Sequence, residues 1–133
     1  MAGMHVTTLE GDDTYESGFQ AMKQSLQMGH RPDGLFSSND LMGCGVLDAL
    51  GENDGLSCPE DVMVIGYDNI PQSAWQAYQL SSFDQRSDAM AAAALDILGR
   101  AFACPDELPS ETIMIEASLV LRRSTEKPTR PSA

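Results

Sequence analysis

The sequence predicts an α/β fold, a doubly wound and mostly parallel sheet. Three observations predict it. Short β-branched or apolar runs alternate along the chain with segments whose apolar residues recur at a helical period. One run, residues 62–67 (Val-Met-Val-Ile-Gly-Tyr), is apolar at successive positions, which suits a strand covered on both faces. With 133 residues, 42% of them apolar, the chain is one domain's worth and can bury a real core.

The elements follow in order. Residues 5–9 (His-Val-Thr-Thr-Leu) form a short β-branched run that ends in the turn Glu10-Gly11-Asp12-Asp13, so a strand is expected there. Tyr15, Phe19, Met22 and Leu26 then make one helical stripe, closed by Gly29 and Pro32, and Asp13 and Glu16 have capping-box spacing at its start. Leu35-Phe36-Ser37 reads as a second strand. Asn39 and Asp40 cap a helix that runs through Leu41, Cys44, Leu47, Asp48 and Leu50 and dissolves between Gly51 and Gly55. The third strand is residues 62–67. Strand, helix, strand, helix, strand is a βαβαβ order, which right-handed crossovers close into an open sheet with helices on both sides. Beyond it, residues 71–78 are expected as a short helix, 80–83 as a strand and 87–102 as an Ala-rich helix with the stripe Ala91, Leu95, Leu98, Phe102. Residues 113–117 and 119–121 close the fold as two strands or one bent strand.

Charge and composition exclude several function classes. The longest apolar stretch, residues 89–95, has seven residues, mostly alanine, far short of the roughly 20 that cross a bilayer. The first residues have neither a basic nor an apolar region, so no secretory signal is expected in them. Three cysteines, Cys44, Cys58 and Cys104, without C-x-x-C spacing, read as reduced thiols of a cytoplasmic protein; only His5 and His30 could join them on a metal, so no metal or cofactor is expected. Residues 1–121 hold 4 basic against 19 acidic groups, a net charge of −15 that repels phosphate backbones. The remaining basic groups, Arg122, Arg123, Lys127 and Arg130, fall in a short Pro-rich end that reads as disordered. Nucleophilic catalysis has no support: there is no G-x-S-x-G elbow and no Gly-rich phosphate loop, and the two lysines, Lys23 and Lys127, sit where no phosphoacceptor chemistry could use them. The chain is not expected to be an enzyme.

Ligands of open α/β sheets bind beyond the carboxyl ends of the strands, and here each strand delivers polar residues to that edge. The first delivers Asp12 and Asp13, the second Asn39 and Asp40, the third Asp68 and Asn69. Carboxylates and amides converging on one edge suit the hydroxyls of a sugar or the ring nitrogens of a base. Each position also has a purely structural reading: Asp13 as a helix cap, Asn39 or Asp40 as the cap of the second helix, and Asp68-Asn69-Ile70-Pro71 as a turn.

Four segments in register carry a family resemblance. They are residues 11–19 around Gly11-Asp12 and Glu16-Ser17-Gly18-Phe19, residues 31–45 (RPDGLFSSNDLMGCG), residues 58–71 (CPEDVMVIGYDNIP) and residues 119–125 (LVLRRST). Together they resemble the effector-binding domain of a lactose-repressor-family transcription regulator, from about residue 6 to residue 125. The resemblance implies a two-lobed fold of the periplasmic-binding-protein-like type I, of which this chain is the carboxyl-terminal lobe. It implies that residues 1–125 are a partial effector-binding domain, that residues 87–103 belong to the other lobe, and that 126–133 are a disordered tail. It further implies a small-molecule effector, a sugar or purine-like compound, held by Asp68, Asn39, Gln85 and Asp13. Asp13 falls where many members place an aromatic that stacks on the effector, so either Tyr15 takes that place or the effector is more polar or cationic. A homodimer is implied through Cys44, Gln72, Trp75 and Gln76, with operator DNA reached only through a separate amino-terminal domain, and with no membrane partner. The alternative is a periplasmic sugar-binding protein of a transport system, which shares the architecture.

Overall fold

A computed structural model describes residues 3–52, 55–107 and 110–126. Helix α1 (Tyr15–Gln27) leads to strand β1 (Gly34–Phe36), helix α2 (Asp40–Gly51) and strand β2 (Met63–Tyr67). A short 3-10 helix (Pro71–Ala74) leads to strand β3 (Ser81–Asp84), helix α3 (Ser87–Ala103) and strand β4 (Ser118–Val120), with a last 3-10 turn at Arg123–Thr125. The sheet order is β1-β2-β3-β4, parallel across the first two pairs and antiparallel between β3 and β4. In register, Leu35 lies beside Val64, Gly66 beside Ser82, and Phe83 beside both Tyr67 and Leu119.

The core lies between α1, α2 and one face of β2, with Met22, Cys44, Val46, Ala49, Leu50, Val62, Val64 and Leu80 buried. The two helices touch backbone to backbone where they cross. A Cβ on Gly18 would lie 2.2 Å from the Met42 carbonyl oxygen, and one on Gly45 would lie 2.2 Å from that of Tyr15, so both positions need glycine for the helices to approach.

Several expectations from the sequence are corrected. Residues 5–9 form no strand and are mostly exposed. β-Branched content favours a strand only where a neighbour completes the hydrogen-bond ladder, and among the described residues none pairs with this segment or with the outer edge of β1. Residues 113–117 likewise stay outside the sheet, leaving β4 as the only closing strand among the described residues. β2 alternates between half-buried and buried positions, where burial on both faces was expected: Val64 and Gly66 face α2, while Met63, Ile65 and Tyr67 are half-buried. The expected helix over 71–78 is a single 3-10 turn ending at Trp75, whose carbonyl accepts from the backbone amides of Tyr78 and Gln79. Trp75 has ψ 146°, an extended conformation that ends the helix after one turn.

Helix α3 forms as expected and buries none of its residues. Leu95, Leu98 and Phe102, predicted as its apolar stripe, are exposed, Phe102 to 81%. The tail from Lys127 onward lies outside the described residues. Arg122 and Arg123 do not belong to a disordered end: Arg122 donates to the Leu80 carbonyl at 2.7 Å, and the Ser124 hydroxyl donates to the Val64 carbonyl at 2.6 Å. No helix among the described residues is long and apolar enough to cross a membrane.

Candidate functional site

The carboxyl edge of the sheet is organised from beneath by Asp40. Asn39, not Asp40, caps α2, its side-chain oxygen accepting from the Met42 amide at 2.9 Å. Asp40 is thereby turned inward and fully buried, and its carboxylate accepts from the Ser82 hydroxyl at 2.7 Å, the Ile70 amide at 3.0 Å and the Ser73 hydroxyl. Three donors compensate the cost of burying a charge. A Cβ on Gly66 would lie 2.1 Å from an Asp40 oxygen, so glycine at that point of β2 makes room for the carboxylate.

This buried anchor fixes the loop that follows β2. The Ser82 hydroxyl that donates to Asp40 also accepts from the Asn69 amide at 3.0 Å. Asp68 and Asn69 have φ of 109° and 55°, conformations that cost on the order of 1–3 kcal/mol each and persist only where the surroundings impose them. Here the bonds to Asn69 and Ile70, and that from the Asp68 amide to the Phe83 carbonyl at 2.9 Å, impose them. The ordinary turn expected over residues 68–71 is therefore a constrained one, and it leaves the Asp68 carboxylate at the sheet edge.

Asp68 is half-buried and accepts from Gln85 Nε2 at 3.2 Å. Burial raises its pKa, and the negative charges of Asp40 and Asp13 add to the effect. On the neighbouring side, Asn39 Nδ2 donates to the Asp13 carbonyl at 3.0 Å and to the Asp13 carboxylate at 3.3 Å. Asp13 has φ 66° and does not cap α1; Thr14 does, accepting from the Ser17 amide at 3.2 Å, so the expected pairing of Asp13 with Glu16 is replaced by one between neighbours shifted along by one. Asp12 is a local turn residue that accepts from the Thr14 amide and hydroxyl, and these bonds hold its carboxyl below the usual range. Of the four residues named for ligand contact, Asn39 joins Asp13 and Gln85 joins Asp68.

Asn69 turns away from that group and bridges Arg122 and Asp84. Its oxygen accepts from Arg122 Nη2 at 2.6 Å, and its nitrogen donates to Asp84 at 3.0 Å. Asp84 also accepts from the Arg86 amide at 2.8 Å, and these bonds hold its carboxyl low. Sequence reasoning missed Asp84, Arg122, Ser73 and Ser82. The signal for Ser82 was two serines inside a strand, where polar side chains need buried partners; Arg122 was obscured by the basic residues that follow it.

Tyr15 is not available to lie over a ligand at this edge. Its hydroxyl donates to Asp48 at 2.7 Å and its ring stacks on Phe19. Tyr78 donates to the same Asp48 oxygen at 3.1 Å, and its ring stacks on Trp75. Of the residues named for a dimer contact, Cys44 lies in the core, Gln72 is half-buried, and Trp75 and Gln76 are exposed. An open cavity lined by Leu50, Leu56, Cys58, Tyr78 and Arg123 lies beside the residues that lead into β2 and includes none of the carboxylates named above. Among the described residues no group of three His, Cys, Asp or Glu side chains could hold a metal.

The model of the periplasmic binding protein-like domain matches residues 1–125. The HTH-type transcriptional repressor PurR of Salmonella paratyphi B is 37% identical over 116 residues, 87% of this chain and 33% of that protein. A dimeric lac repressor with an 11-residue C-terminal deletion superposes with a TM-score of 0.80 at 29% identity, over 90% of this chain and 43% of its own. A LacI family transcriptional regulator from Arthrobacter sp. FB24, in complex with lactose, superposes with a TM-score of 0.76 at 33% identity, over 86% of this chain and 42% of its own. The chain thus spans about a third of the curated relatives it matches.

Proposed function

Because the chain belongs to the periplasmic binding protein-like domain family and is homologous to LacI-type transcription regulators over their effector-binding region, we propose that it is the effector-sensing part of a DNA-binding transcriptional regulator. A small molecule rests against Asp68, Asn39, Gln85 and Asp13, and a second lobe supplies the other wall of the cleft. The reading is carried above all by the Asp68 turn: a strained, over-determined loop that holds a carboxylate at a strand end, with Gln85 bonded to it. The protein is cytoplasmic, has no catalytic step, and works as a homodimer that involves Trp75 and Gln76. Two of the solved relatives are complexes with lactose and with cellobiose, which favours a sugar.

The mechanism is differential binding. An effector that bridges the two lobes stabilises the closed arrangement by its difference in affinity for the closed and open forms, and so shifts the dimer between states that hold DNA well or poorly. Helix α3, with its apolar side chains exposed, belongs to the other lobe, where its stripe finds a partner. The test is the mass and amino-terminal sequence of the native protein. A helix-turn-helix ahead of residue 1 on the same polypeptide is the expected result, and a processed signal peptide in its place would make the protein a transport receptor.

A further inference from the structure

We propose that Asn69 is a positioning residue. Its side chain ties the Asp68 turn to the two segments by which the chain leaves this lobe and returns to it, so that a ligand resting on the turn also steadies the start of α3. The inference rests on the proposed effector site and on the proposed place of α3 in the other lobe. It concerns how occupancy is passed on, whatever the ligand is. The chain leaves the sheet after β3 and comes back to it at β4, and the two are paired at that end, with Asp84 beside Ser118. Asn69 follows Asp68 directly and bonds to both segments. Its Nδ2 donates to Asp84 Oδ2 at 3.0 Å, and its Oδ1 accepts from Arg122 Nη2 at 2.6 Å. Each partner is fixed in turn. The other oxygen of Asp84 accepts from the Arg86 amide at 2.8 Å, and Arg86 opens α3 in a left-handed conformation, φ 57°, without a side-chain cap of its own. One carboxylate thus joins the ligand turn to the first turn of α3. Arg122 donates from Nη1 to the Leu80 carbonyl at 2.7 Å and from its backbone amide to the Ser81 hydroxyl at 2.8 Å, which locks the returning segment against β3.

The backbone bonds that impose the turn do not reach so far. The amides of Asp68 and Asn69 donate to the Phe83 carbonyl and the Ser82 hydroxyl, both inside β3, and so fix where the turn sits on the sheet. Gln85 reaches Asp68 from beyond β3, but both are proposed ligand contacts, and a ligand competes for the bond between them. Asn69 faces away from the ligand, so its two bonds stay in place when the site fills. Asn69, Asp84 and Arg122 are all half-buried, where a bond to a charged group is less weakened by water. A contiguous set of such bonds is a physical route by which one site biases another.

The test uses the full-length protein with lactose, cellobiose and adenine as probes. Two quantities are read: the dissociation constant by calorimetry, and the factor by which bound probe slows amide hydrogen exchange in peptides over residues 84–90 and 118–123. Exchange there reports rare openings, so coupling to them moves the slowing factor and leaves the dissociation constant nearly untouched. Asn69→Gly removes both side-chain bonds and suits a φ of 55°. It is expected to leave the dissociation constant within about threefold of the parent's and to cut the slowing factor by at least about fivefold. Asn69→Asp combined with Asp84→Asn reverses donor and acceptor while keeping acceptors for Arg122 and the Arg86 amide, and it is expected to restore the factor to within about twofold. A general loss of stability would quicken exchange with and without probe alike and leave the factor unchanged. An unchanged factor in Asn69→Gly, a reversed pair that restores none of it, or a dissociation constant that rises in step with the loss overturns the inference and leaves the effector site in place. A parent protein that binds none of the three probes overturns the proposed site, and the inference with it.

Discussion

Replacing Asp40 tests the physical basis of the site, because one fully buried carboxylate holds three elements together. Asp40→Ala removes the acceptor for the Ile70 amide, the Ser73 hydroxyl and the Ser82 hydroxyl at once. Hydrogen bonds to a charged group contribute about 1.5–3 kcal/mol each, but the three losses do not add, since two of the donors are hydroxyls that can rotate to other acceptors. The Ile70 amide cannot rotate. A buried donor left without its acceptor costs about 1–3 kcal/mol, so with the hydroxyls partly re-paired a loss of about 2–5 kcal/mol is expected in urea unfolding followed by far-ultraviolet circular dichroism. Asp40→Asn keeps the size and one acceptor oxygen, and a serine hydroxyl can turn to accept from its amide, so a loss of about 1–2 kcal/mol is expected. Amide exchange at Asn69 and Ile70 should quicken in both variants, more in the alanine. If Asp40→Ala unfolds within about 1 kcal/mol of the parent chain, the loop is not held from beneath and the account of the Asp68 turn fails.

Three other outcomes follow from the same structure. Gly18→Ala and Gly45→Ala each drive a methyl into the backbone of the facing helix, so either should destabilise the chain by about 1–3 kcal/mol or more, whereas Gly51→Ala, with open space around it, should be nearly neutral. Hydrogen bonding to Asp48 raises the pKa of Tyr15 first of all, and burial followed by the same bond pushes Tyr78 up to about 12. Both phenols hold their protons longer in the folded state, so their contribution is complete below the ordinary value of 10 and is lost as the pH rises toward 12 and beyond. An alkaline absorbance titration should find both late, and Asp48→Asn should bring both down. Burial pushes the Cys44 thiol up to about 12 and that of Cys58 up to about 11, so a thiol reagent at pH 8 should label exposed Cys104 rapidly and the other two only as the chain unfolds.

What the sequence reveals depends on how local the determining forces are. The helix stripe from Tyr15 to Leu26 and the cap at Asn39 are local, and the structure has α1 and α2 where they point. Strand pairing is not local: residues 5–9 have the composition of a strand and no ladder neighbour among the described residues, while β4 forms because it lies beside β3. At the sheet edge the residue types were legible at Asp68, Asn39 and Gln85, which follow strand ends, whereas Asp13 follows no strand and reaches the edge through its bonds from Asn39; their division of labour was not legible. That Asn39 caps and Asp40 turns inward depends on Ser73 and Ser82, more than thirty residues away. The cap at Thr14 in place of Asp13 was settled by the left-handed backbone of Asp13, which Asn39 holds by its carbonyl. Arg122 illustrates the limit of counting charges by position, since a basic residue close to the end of the chain is tied to Asn69 and Leu80.

The most direct test of the central claim is the effector response of operator binding in the full-length protein proposed to be the regulator, compared between the parent and Asp68→Ala. A sugar that alters operator affinity in the parent should need a higher concentration in Asp68→Ala, by about 5- to 150-fold, corresponding to the roughly 1–3 kcal/mol lost with a buried polar contact. Operator affinity without effector should be unchanged. An identical effector response in the two proteins would contradict the account.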